Sequence, residues 1–157
     1  MTNGMFTEIL LGILAITLVY AAVIDVKTFT ISNRLNAFIA LLAPLFWWSS
    51  GLDFWPDAAI QVGVAVLVFV ALAGAFYAGM MGGGDVKLAA ALALWFSPAT
   101  TVKFLVLMSI AGGVLTLVVV AIHRSRKKEG KPQVPYGVAI AFGALAILTQ
   151  RFLNQFA

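Results

Sequence analysis

Asp85 stands in the stretch Met81-Gly82-Gly83-Gly84-Asp85-Val86-Lys87, directly after a run from 58 to 84 that contains no Asp, Glu, Lys, Arg or His. An ionisable group where an apolar run ends is costly to keep, and at membrane depth it marks a functional site with a partner to be found. Three consecutive glycines remove the side chains beside it, so the backbone can leave helical geometry and another segment can approach Asp85. Asp25, which closes the first apolar run, is the matching acid. Two carboxyl groups brought together cannot both ionise cheaply and tend to share one proton, leaving one as a general base and the other as a general acid near neutral pH. Such a pair can draw a proton from water as it attacks a peptide carbonyl and hydrogen-bond the developing oxyanion. It needs no metal and no covalent nucleophile. Charge placement alone supports a structural reading equally well, with each Asp capping a helix or forming half of a local ion pair with Lys27 or Lys87.

The elements that must position these acids are membrane helices. The chain has 157 residues, 62% hydrophobic and 10% charged, with a mean hydropathy of +1.04. A soluble domain of that balance would lack the polar residues to cover its surface. The expected fold is all-α, a polytopic bundle of about six transmembrane helices forming one integral-membrane domain over residues 1–157. With no cysteine, disulfides, thiolate chemistry and a cysteine zinc site are excluded, and the lone His123 cannot make a metal cage, so no cofactor is expected. The sequence pI near 9.7 does not point to nucleic acid, because the basic residues sit in loops between apolar runs, where membrane topology is written.

The first span runs over 5–24. It lacks the basic start and small-residue cleavage pattern of a signal peptide, and is expected to be retained. A polar connection, 25–34, offers Ser32 or Asn33 as a helix cap. The second span, 35–52, contains Pro44 as an expected kink, and Trp47, Trp48 and Trp55 beside Asp53 and Asp57 suit an interfacial aromatic belt. The third span, 58–84, exceeds the roughly 20 residues a bilayer core requires, so its end is expected to unwind. Within it, Gly79 and Gly83 form a small-xxx-small pair, and Gly112-Gly113 further on reads as a packing contact. A short fourth segment, 88–102, carries Ser97-Pro98 near its end. A fifth span, 104–122, precedes the basic cluster 123–131, which reads as a topology determinant that contacts anionic lipids. Pro135 opens the last span, ending near Arg151.

With the N-terminus outside, the inner connections hold Lys27, Arg34, Lys87, Arg124, Arg126, Lys127, Lys128 and Lys131, against Lys103 and Arg151 outside. That bias places both termini outward and puts Asp25 and Asp85 at the same cytoplasmic depth.

The wording of the motifs adds to this. Gly82-Gly83-Gly84-Asp85 resembles the G-x-G-D signature of intramembrane aspartic proteases, and its continuation Val86-Lys87-Leu88 resembles the type IV prepilin peptidase branch. Asp25 followed by Ile31-Ser32-Asn33-Arg34-Leu35 is similar to that family's D-x5-I-P-N-x-L element, with Ser32 where Pro is usual. Pro135-Tyr136-Gly137 resembles its P-[FY]-G. The resemblance implies a peptidase of the bacterial inner membrane that removes a short basic leader from pilin or pilin-like precursors at the cytoplasmic face, with Asp25 and Asp85 catalytic. It also implies supporting or substrate-contacting roles for Gly82, Gly84, Lys87, Lys27, Asn33, Pro135, Tyr136 and Gly137. Larger members carry a cysteine-containing cytoplasmic domain and N-methylate the new terminus. This chain has neither cysteine nor a long first loop, and looks like the minimal form serving tight-adherence (Flp) pili. Two other classes fit paired acids beside a broken helix, namely an ion-coupled transporter and a non-catalytic assembly factor. No internal repeat supports the first, and both acids lie at one face instead of the midplane.

Overall fold

A computed structural model describes residues 4–126, 130 and 132–155 of the chain. Among them the protein is all-helical, with six α-helices: α1 (Gly4–Thr28), α2 (Asn33–Ser50), α3 (Ala59–Tyr77), α4 (Gly83–Ala93), α5 (Pro98–Ser125) and α6 (Tyr136–Gln155). A kinked turn, Phe54–Ala58, in which Trp55 is extended (φ −140°, ψ 126°), leads into α3. Four helical stretches are long and apolar enough to cross a membrane: Gly4–Thr28, Phe54–Tyr77, Pro98–Ser125 and Tyr136–Asn154. The basic positions Lys127, Lys128 and Lys131 lie outside the described residues.

The expected bundle is present, but its elements divide differently. The third apolar run does unwind, and earlier than expected: α3 ends at Tyr77 and a turn over 78–82 contains Gly79 at φ +70°. That left-handed position is open to glycine at little cost. Gly79 and Gly83 therefore share no helix, and the small-xxx-small pair read there is not formed. Asp85 does not end a span; it lies in the first turn of α4. The segment expected over 88–102 is likewise two pieces. α4 stops at Ala93, Ser97 caps α5 by accepting the Thr100 N–H, and Pro98 opens α5, the position where its missing N–H costs nothing. At 11 residues, α4 is roughly 16 Å long, about half the thickness of a bilayer's hydrocarbon core.

This short helix is the centre of the molecule. It packs against α2, α3 and α6, while α1 packs against α2 and α6, and α5 against α6. Leu88, Ala89 and Leu92 of α4 are wholly buried, as are Leu18 and Ala21 of α1, Ile39 and Ala43 of α2, and Ile140 and Ala144 of α6. On the outside, α3 and α5 expose Leu67, Val70, Val114 and Leu117, the apolar exterior that a lipid solvent permits and water penalises.

Side-chain hydrogen bonds fix the end of the bundle far from Asp85. Thr7 at the start of α1 donates to the Ser49 carbonyl at the end of α2 (3.1 Å), so these helices run antiparallel. Trp47 is buried, not part of an interfacial belt; its Nε1 donates to Gln61 Oε1 (2.9 Å) and to the Leu94 carbonyl (2.7 Å). Trp95 Nε1 donates to the Ile39 carbonyl (3.0 Å), and its ring stacks on Phe46. Trp48 and Trp55 are exposed, as an aromatic belt requires. At the opposite end, Gly112 of α5 lies so close to Tyr136 that a Cβ there would meet the ring at 2.8 Å, whereas Gly113 faces open space. Only the first of the two is a packing contact.

Candidate active site

Asp25, in the last turns of α1, and Asp85, in the first turn of α4, are the two buried acids among the described residues, 2% and 8% exposed. Each is held by a helix N-terminus, where unsatisfied N–H groups and the helix dipole favour a carboxylate. Asp85 occupies the third position of α4 and accepts the N–H of the capping Gly82 through Oδ2 (3.1 Å), the return half of a capping box. Asp25 lies against the first turn of α6, where the N–H groups of Gly137 and Val138 face its carboxyl. The Val138 N–H is already bonded to the Pro135 carbonyl (3.1 Å), and Asp25 Oδ2 is left buried without a well-formed hydrogen bond.

Glycine makes these approaches possible. A Cβ on Gly137 would stand 2.8 Å from Asp25 Oδ2 and 2.5 Å from Ile31 Cδ1, and a Cβ on Gly84 would stand 2.7 Å from the Ile31 carbonyl oxygen. Ile31, in the connection after α1, is thus wedged between the N-termini of α4 and α6 and fixes both acids relative to each other. Asn36 secures the same junction by donating from Nδ2 to the Gly84 carbonyl (3.0 Å). Lys87 donates to Asn33 Oδ1 (2.8 Å). Neither Asp25 nor Asp85 forms an ion pair with Lys27 or Lys87 among the described residues, and Lys27 is exposed. This removes the local ion-pair reading of the two acids.

The electrostatic consequence falls on Asp85, which lies outside the four candidate spans. Burial first, and the neighbouring Asp25 carboxylate second, push its pKa from the ordinary 3.8 up to about 6, against the opposing Gly82 hydrogen bond. The Asp25 charge therefore reaches Asp85, as a functional pair requires.

The remaining expected residues divide in two. Gly82, Gly84, Asn33, Lys87, Pro135 and Gly137 gather at this end of the bundle. Tyr136 faces away from the acids: it covers Gly112, and its hydroxyl accepts from Thr116 Oγ1 (3.2 Å), fastening α6 to α5. Ser32, where Pro is usual, has φ −71° and ψ 146°, a conformation proline shares, and caps α2 by accepting the Leu35 N–H (3.3 Å). Asn36 was not foreseen, although its spacing of three from Asn33 places both on one helical face.

A polytopic bundle of apolar helices with two buried acids at one end defines a membrane-embedded helical protein. The chain belongs to the type IV leader peptidase family, whose model matches residues 12–117. That stretch contains Asp25, Asn33 and the Gly82–Lys87 motif and stops before Pro135-Tyr136-Gly137. Proteins of this family are membrane-embedded peptidases that act on pilin precursors. No curated relative and no solved structure matches the chain.

Proposed function

We propose that this leader peptidase is an aspartic endopeptidase in which Asp25 and Asp85 work as one unit. The observation that carries the reading is the burial of both carboxyl groups at the N-termini of two helices locked together through Ile31. With one proton between them, the ionised acid takes a proton from water as the oxygen attacks the scissile carbonyl. The protonated acid donates to the carbonyl oxygen as negative charge develops there. Collapse of the tetrahedral gem-diol breaks the C–N bond as the acid that took the water proton protonates the departing amine and the ionised acid takes a proton from a gem-diol hydroxyl, so the pair ends singly protonated as it began. The N–H groups at the start of α6 hold Asp25 in place and soften the cost of its charge in a poorly solvated site.

The substrate is the leader of a pilin-like precursor of the tight-adherence (Flp) kind, in keeping with the absence of cysteine and the short connection between α1 and α2. The acids face the cytoplasm at the bacterial inner membrane, with both termini outward, in accord with the eight basic residues on that side. Asp25→Asn and Asp85→Asn preserve volume and remove acid-base function. In cells co-expressing a pilin precursor, each is expected to lower leader removal by about a hundred- to ten-thousandfold while the protein still accumulates in the membrane. Chelators are expected to leave the wild type active. Near-wild-type processing by either variant contradicts the assignment.

A further inference from the structure

At the end of the bundle far from the acids, two basic residues from different helices meet in one cavity. Lys103 of α5 and Arg151 of α6 both line a space of about 410 Å³. Gly137 to Arg151 spans roughly 21 Å along α6, which sets this cavity well away from Asp25. Ser97 at the start of α5 and Gln150 and Asn154 of α6 complete its polar wall, and no Asp or Glu among the described residues lines it. Neither cation forms an ion pair among the described residues. Arg151 is nonetheless held in place. Its guanidinium lies over the Phe46 ring, 5.5 Å from the centroid, a cation–π contact that leaves the N–H donors along its edge free to bond.

The polar wall leads into an apolar one. Lys103, Ile147 and Gln150 also line a groove of about 320 Å³ that continues between α5 and α6 past Val106 and Leu107. Val102 and Val106 at its edge are 61% and 52% exposed, so the groove opens to the lipid around α5. From Val102 to Leu107 it follows α5 for roughly 7.5 Å toward the middle of the bundle. A doubly cationic chamber that runs into an apolar groove makes two chemical demands on one ligand. A free anion such as phosphate meets the first and leaves the groove unfilled. A neutral lipid meets the second and leaves two positive charges without a counter-charge. A zwitterionic phospholipid brings a further cation to a chamber that already holds two. An anionic phospholipid meets both demands, and a guanidinium can take two oxygens of its phosphodiester as a bidentate pair.

We propose that this cavity and groove form a site for one anionic phospholipid of the leaflet opposite the acids, with Lys103 and Arg151 on its phosphodiester and an acyl chain along α5 and α6. The site is separate from the basic cluster that follows α5, which lies at the other end of the bundle. Trp95, from the turn between α4 and α5, also lines the chamber, so a lipid held there bridges that turn to α6 and stabilises the folded bundle. The proposal does not rest on the peptidase reading.

The test is lipid binding by the purified protein in detergent, titrated with phosphatidylglycerol or with phosphatidylcholine of the same chain length and followed by native mass spectrometry. Phosphatidylglycerol is expected to bind at least about tenfold more tightly than phosphatidylcholine and to raise Tm. Arg151→Gln and Lys103→Gln are each expected to weaken its binding at least about tenfold, whereas Arg34→Gln, which removes the same charge at the other end of the bundle, changes it by less than about twofold. Val106→Trp fills the groove and is expected to weaken binding likewise, while Val114→Trp, the same change further along α5, leaves it unchanged. Equal binding of the two lipids, or an equal loss in Arg34→Gln and Arg151→Gln, overturns the site. Unchanged binding in Val106→Trp overturns the groove as the place of the acyl chain. Inorganic phosphate in large molar excess is expected to leave the lipid bound; displacement would mark a site for free anions and overturn the lipid assignment. Where Arg151→Gln does not fold for want of its contact with Phe46, Lys103→Gln decides, because that side chain is exposed.

Discussion

Gly137 separates the structural from the ordinary glycines of this chain. A methyl group there would collide with Asp25 Oδ2 and Ile31 Cδ1, whereas one on Gly113 would meet nothing within 4 Å. Gly137→Ala is therefore expected to cost about 1–3 kcal/mol through overpacking and to displace Asp25, seen as a lower Tm and a rate of leader removal reduced tenfold or more. Gly113→Ala relieves a helix-interior glycine and is expected to hold or raise Tm by the equivalent of up to about 1 kcal/mol; equal behaviour of the two variants would contradict the packing described. Asp85 carries a pH signature. Its pKa rises from 3.8 to about 6, so the native state binds this proton more tightly than the unfolded chain. The stability held with the proton in place is full below about 4 and is lost as pH rises through about 6. Asn is uncharged and its Oδ1 can still accept the Gly82 N–H. Asp85→Asn is accordingly expected to be more thermostable than wild type above about pH 6, with the difference vanishing near pH 4. A variant less stable than wild type at neutral pH would contradict the cost assigned to the ionised carboxyl.

At the scale of elements, the two acid motifs and the Pro135-Tyr136-Gly137 start of α6 were legible because each couples an unusual residue type to a local backbone demand. The breaks beside them were not. A continuous apolar run from 58 to 84 hides the end of α3, since hydropathy does not distinguish a buried turn from a helix; Gly79 was the available signal, a residue suited to the left-handed position after a helix. Ser97-Pro98, placed at a span's end, is the cap and first position of α5. Burial of Trp47 was invisible for a different reason: its partners, Gln61 and the Leu94 carbonyl, come from distant parts of the sequence. Trp47→Phe leaves both acceptors without their donor at the junction of α2, α3 and α4, and is expected to cost about 1–3 kcal/mol. The measurement is Tm in detergent. A Tm equal to wild type would show that these bonds do not hold α4 in place.

Taken whole, the molecule is a set of membrane helices around one short helix whose N-terminus carries an acid. Ile31, Gly84, Asn36 and Gly137 bring residues 25 and 85 to the same end of the bundle, and the sequence had placed them at the same depth through charge alone. Reporter fusions after residues 30 and 86 are expected to lie in the cytoplasm, and fusions after 53 or at the C-terminus outside. Opposite locations for 30 and 86 are incompatible with the packing around Ile31. The central claim is that Asp25 and Asp85 act as a unit, and the most direct measurement is the rate of leader removal by purified wild type, Asp25→Asn, Asp85→Asn and the double variant on one pilin precursor. Groups that share a proton are not additive in their loss. The expected result is a similar loss in each single variant, about a hundred- to ten-thousandfold, with the double variant within a few-fold of either. A single variant that cleaves at near the wild-type rate, or a double variant whose loss is the product of the two single losses, would contradict it.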